Sequence, residues 1–166
     1  MRPLLASLPA LALAAGACAD DVPEPEPGLE LRMSATIPAG AEVEYCRFVT
    51  VPETWVTKDA IEFSAGSHHV LVFQTPYASI PTQTDGGRPV DTSGVFDCSD
   101  GVTSDWSVTK IAGGSQNRSG ASAMAFPEGV ALRLGGVLLI NVHYRNGSDE
   151  PLEAEVKVTY DTTPLD

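Results

Sequence analysis

Residues 153–160 read Glu-Ala-Glu-Val-Lys-Val-Thr-Tyr, so polar and apolar residues alternate without a break. In a β-strand, successive side chains point to opposite faces of the sheet, and strict alternation therefore separates an apolar face from a polar one. This stretch predicts a strand that lies with one face on a hydrophobic core.

Other segments along the chain have the same character and are separated by turn-forming residues. The predicted strands are Leu29–Met33, Val43–Val49, Ala60–Phe63, Val70–Phe73, Val130–Leu134 and Val137–Tyr144. The predicted turns are Pro38-Ala39-Gly40, Gly86-Gly87, Gly113-Gly114, Pro127-Glu128-Gly129 and Asn146-Gly147. No long window carries a helical period. The sequence predicts an all-β fold, an antiparallel two-sheet sandwich resembling a jelly roll, as a single domain over residues 29–163.

The N-terminal segment, residues 1–17, has the features of a signal peptide. Arg2 supplies a positive charge, and Leu4–Ala15 is an apolar run too short to span a bilayer, which needs about 20 residues. Residues 15–18, Ala-Gly-Ala-Cys, resemble a bacterial lipobox, which would make Cys18 a lipidation site. Because Ala15 stands where that motif usually has leucine, a plain signal peptide cut near Ala17 stays an alternative, and both interpretations export the protein.

Residues 18–28 follow as the candidate lipidated cysteine and a Pro/Glu tether. Alternating proline and glutamate favour a stiff, extended and solvated segment with nothing to bury. Such a tether would hold a folded domain away from a membrane surface. We therefore expect a lipid-anchored protein of the bacterial cell envelope, in the periplasm or at the cell surface.

Cys46 and Cys98 are the two cysteines that remain for the domain. In an oxidising compartment, two cysteines in one small domain most often pair, and the bridge would pin the loop-rich stretch from Pro76 to Ser104. The alternative is that one or both are free and buried.

The formal net charge is -12, and no basic cluster offsets it. A chain of this charge repels nucleic acid and anionic membrane surfaces. We therefore expect no nucleic-acid partner, and membrane association only through a lipid anchor.

The chain has three histidines, His68, His69 and His143. Three imidazoles with no carboxylate or free thiol expected nearby suit copper or zinc, and ligand type alone does not choose between them. Adjacent strand residues face opposite sides, so His68 and His69 can share one ion only if the strand is bulged or begins there, and Gly66 suits a bulge. The alternative is an ordinary surface pair and an unrelated strand histidine.

The ordered set of motifs resembles the N-terminal half of the copper type II, ascorbate-dependent monooxygenases. The matching segments are Glu44-Tyr45-Cys46 with Pro52, Ser67–Phe73 around the histidine pair, Phe126–Gly136, and Leu138–Asn146 around the third histidine. The resemblance runs from about Leu29 to Tyr160. It implies a β-sandwich in which His68, His69 and His143 hold an electron-supplying copper as cofactor.

In that family a second sandwich carries the oxygen-binding copper on a His-X-His pair and a methionine. No His-X-His occurs in this sequence, so we do not expect hydroxylation by this chain alone. Three interpretations follow: a copper-binding module for electron transfer or copper handling, one subunit of a two-chain monooxygenase whose partner supplies the oxygen-binding site, or a structural sandwich without metal chemistry.

Overall fold

The computed structural model describes residues 28–117 and 120–164. The predicted signal peptide, the candidate lipidated Cys18 and the tether up to residue 27 lie outside the described residues. No helix within the described part is long and apolar enough to cross a membrane.

The described chain is almost entirely β-structure, and all strand pairs are antiparallel, which confirms the predicted fold class. The strands are β1 (Leu29–Ile37), β2 (Glu42–Phe63), β3 (Ser67–Gln74), β4 (Val95–Asp97), β5 (Lys110–Ser115), β6 (Ala121–Ala125), β7 (Leu132–Arg145) and β8 (Leu152–Pro164). One short helix, α1 (Val102–Asp105), lies in the loop-rich segment.

The long strand β2 joins the two layers, because it changes partners along its length. Its first part lies between β4 and β7, and its last part lies between β8 and β6. One layer is therefore built around β3, β5 and β7 and the other around β1, β6 and β8, in a single continuous hydrogen-bonded order β1-β8-β2-β7-β3-β5. The main core fills the space between the layers, and Met33, Ile61, Leu138, Val158 and Tyr160 are among its fully buried members.

Two boundary predictions were wrong, because strands continue where turns or breaks were expected. Val43–Val49 and Ala60–Phe63 are parts of one strand, β2, which passes through its bulged middle without ending. Likewise, Val130–Leu134 and Val137–Tyr144 belong largely to β7.

The predicted turn at Gly113-Gly114 was also wrong, because both residues lie within β5. A Cβ on Gly113 would lie 2.9 Å from the Tyr160 hydroxyl, and one on Gly114 would lie 2.8 Å from Leu71. Close packing, not chain reversal, accounts for the two glycines.

A second core cluster lies on the other face of the β2-β7-β3 layer, beneath the loop-rich segment. Phe48, Phe73, Leu139 and Trp106 belong to it, together with the disulfide between Cys46 and Cys98. The predicted bridge is confirmed, with a Cα–Cα distance of 5.9 Å. His143 lies on the same face of β7 as this cluster, since Leu139, Asn141 and His143 follow one another at every second position of the strand.

Candidate metal centre

A β-bulge at the start of β3 brings the two adjacent histidines to the same site. His69 pairs directly with His143 on β7, and the register shifts between Ser67 and His69, so His68 is the extra residue. Gly66 precedes the bulge with φ +88, a left-handed conformation that favours glycine, and its carbonyl accepts a 2.7 Å hydrogen bond from the Arg145 backbone N–H. The bulge is one of the two arrangements that the sequence analysis required for His68 and His69 to share a site.

The three imidazole rings converge. Their centroids lie 5.7 Å apart for His68 and His69, 5.1 Å for His68 and His143, and 5.3 Å for His69 and His143. One nitrogen from each ring lies within 4.8 Å of the other two. Three such atoms share a centre within about 2.8 Å of each, close to the metal–nitrogen bond length of ~2.0–2.1 Å. Small side-chain adjustments therefore suffice for the group to hold a metal ion.

The site lies at the rim of the β3–β7 ladder and is open to solvent on one side. His68 is exposed, whereas His69 and His143 are half-buried. Because of this difference in exposure, His68 is the part of the site that solvent or a partner can reach, and the other two rings are held within the protein surface. Within the described residues, this histidine group is the one His/Cys/Asp/Glu cluster with metal-holding geometry.

A carboxylate orients the His143 ring. Glu42 Oε1 lies 3.1 Å from His143 Nε2, and the same carboxylate lies 3.9 Å from the Arg145 guanidinium. With Nε2 bonded to Glu42, Nδ1 of His143 is the nitrogen left for a metal ion. Carboxylates in this position select the imidazole tautomer and raise its basicity as a ligand.

Asn141 performs the matching role for His69. Its side chain hydrogen-bonds to the His69 ring, while its Nδ2 donates to Glu44 Oε2 at 3.2 Å. The same amide nitrogen lies 3.5 Å from the Cys98 sulfur and 3.6 Å from the Cys46 sulfur. Asn141 is only 1% exposed, so the His69 ring is held by a group that is itself fixed against the disulfide.

Burial, followed by the proximity of His143, lowers the pKa of His69 below its usual value. Glu44 and the Asn141 hydrogen bond act in the opposite direction but do not reverse the shift. The His69 ring is therefore neutral at neutral pH, which is the form that binds metal ions.

The expectation that no carboxylate lies near the imidazoles was wrong, because Glu42 and Glu44 both reach the site. These two residues alternate with apolar neighbours, so the sequence places them on one face of a strand. Only the pairing of Glu44 with His143 brings that face to the histidines. No local pattern identifies a partner about 100 residues away.

Removing the Glu42 carboxylate is expected to weaken metal binding by about tenfold, because such outer partners typically contribute 10–100-fold to affinity. Glu42→Ala loses both the charge and the hydrogen bond, whereas Glu42→Gln retains an acceptor and should lose less. The measurement is a competitive copper titration. Glu53→Gln is the matched control, since Glu53 lies further along β2 and pairs with Arg133. Equal affinity in all four proteins would show that Glu42 does not orient the site.

In comparisons with known proteins, no family model and no curated sequence matches this chain. The resemblance to the copper monooxygenases therefore stays a prediction, supported by the motifs named above.

Proposed function

We propose that this chain is an exported protein of the bacterial cell envelope that holds one copper ion on His68, His69 and His143, for electron transfer or copper handling. The observation that carries this proposal is the convergence of all three histidines of the chain, from two strands 74 positions apart, on one centre.

Copper is favoured over zinc by two features of the site. Imidazole ligands bind divalent copper more tightly than zinc, following the general order of metal affinities. A set of three imidazoles with no directly bound carboxylate or thiolate carries no charge, so it suits both oxidation states of copper. When bound, copper would supply one-electron redox chemistry.

Electron transfer also requires that the ligands move little and that a redox partner can approach the site, and residues of this chain meet both needs. Glu42 and Asn141 hold two of the rings, which limits rearrangement when the charge of a bound ion changes. The exposed His68 leaves one edge of the site within reach of a redox partner.

The same exposed edge favours the second candidate function, in which another chain supplies an oxygen-binding copper site. Oxygen consumption with ascorbate would then require both chains.

Metal analysis of the protein purified from the membrane fraction tests this proposal. We expect one copper per chain, reduced by ascorbate and reoxidised without loss of the metal. The matched control is Cys18→Ser, which should move the protein to the soluble fraction and leave its copper content unchanged. Zinc in place of copper, or no metal, would contradict the copper assignment. If the Cys18→Ser protein stays in the membrane fraction, the lipid anchor is contradicted, but the copper assignment is not.

A further inference from the structure

A groove separates β5 from β6, at the open side of the two layers. Among the described residues β5 pairs only with β3 and β6 only with β2, so no strand closes the space between them. The groove has a volume of about 710 Å³ and is lined mainly by apolar side chains, including Leu71, Met124 and Phe126. This volume is in the range of small-molecule sites. Ile111 and Met124 are 60% and 46% exposed, so the lining is accessible.

The groove also contains a buried carboxyl group, that of Asp59 on β2. Asp59 lies opposite Met124 in the β2–β6 ladder and opposite Tyr160 in the β2–β8 ladder. Directly paired residues share a face, and Tyr160 is fully buried in the main core, so Asp59 also points inward. It is only 5% exposed and lines the groove.

The Asp59 carboxyl has no compensating partner within residues 28–117 and 120–164. Tyr160 is the titratable group that faces it, but the Tyr160 hydroxyl donates its hydrogen bond to the Ala112 carbonyl at 3.3 Å. Lys58, the adjacent residue, pairs with Asp161 instead. No hydrogen-bond donor is seen on the Asp59 oxygens in this part of the chain.

Ionisation of Asp59 in the groove is opposed by a large desolvation free energy, since burying a charge without a partner is strongly unfavourable. Burial raises the pKa of Asp59 to about 6. Asp59 is therefore still mostly ionised at neutral pH. The apolar lining then surrounds a negative charge, which is the complement of a cationic group on a hydrocarbon body.

We propose that the groove between β5 and β6 binds a small apolar amine, whose ammonium group pairs with Asp59 and whose hydrocarbon part lies on Ile111, Met124 and Phe126. This site uses none of the histidines, so it stands independently of the metal centre. The net charge of -12 raises the local concentration of cations and disfavours anionic ligands.

The test compares hexylamine with 1-hexanol, which has the same hydrocarbon chain and no charge, on the full mature chain at pH 7.5. A chelator and the His143→Ala background remove any binding of the amine to a metal ion. We expect hexylamine to bind at least about tenfold more tightly than 1-hexanol, and Asp59→Asn to abolish that preference. Chemical-shift changes confined to β5, β6 and the end of β2 would locate the ligand.

Met124→Lys keeps the test decisive if Asp59→Asn does not fold. Met124 is exposed on an edge strand, and lysine at this position places an ammonium group directly opposite Asp59. This variant should lose hexylamine binding, whereas the control Met124→Leu should retain it. Equal binding of hexylamine and 1-hexanol, no binding of either, or unchanged hexylamine binding in Met124→Lys would overturn the proposal.

Discussion

Replacing His143 with alanine is expected to lower copper affinity by at least about a hundredfold, because one of three directly bound ligands is lost. His143 is also the ligand that links the two parts of the site, since His69 pairs with it across the β3–β7 ladder. Without His143, only two adjacent residues of one strand remain.

The measurement is a competitive titration with a copper chelator, combined with thermal unfolding of the metal-free protein. The His143 side chain is about one-fifth exposed at the rim of the sheet, so its removal should change the stability of the metal-free protein little. Glu53→Gln again serves as the control for a remote change on β2. Copper binding that is unaffected in His143→Ala would contradict the proposed site.

Removing the disulfide is expected to cost about 4 kcal/mol of unfolding free energy, because Cys46 and Cys98 close a loop with a sequence separation of 52. The bridge ties β2 to the loop-rich segment that covers the second core cluster. It also contacts Asn141, so its loss should loosen the His69 ring and lower metal affinity.

Urea unfolding of the Cys46→Ala/Cys98→Ala double variant measures this effect, with the wild-type protein under reducing conditions as a second route to the same state. The matched control is Cys18→Ser, which removes a cysteine and leaves the bridge in place. A loss below about 1 kcal/mol would mean that the unfolded chain gains little freedom when the loop opens.

The strands that were predicted correctly are those whose own residues carry a clear pattern. The strands that were missed depend on pairing with distant parts of the chain. The alternation at residues 153–160 correctly predicts β8, and the apolar run Val137–Tyr144 correctly predicts the main part of β7. β5 and β6 were not predicted. Their residues, rich in alanine, glycine and serine, have little β-propensity, and their strand structure comes from pairing with β3 and β2.

The amino-acid sequence alone determined the fold class, the three candidate metal ligands and the cysteine pair, and it showed that adjacent histidines need a bulge or a strand start to share a site. These properties depend on residue type and on the side-chain period of two along a strand, both of which are local. Only the tertiary structure decided that Glu42 and Asn141 hold the rings, and that Asp59 lies in an apolar groove. The physical reason is strand register: it sets which side chains face each other across ladders that join residues about 100 positions apart.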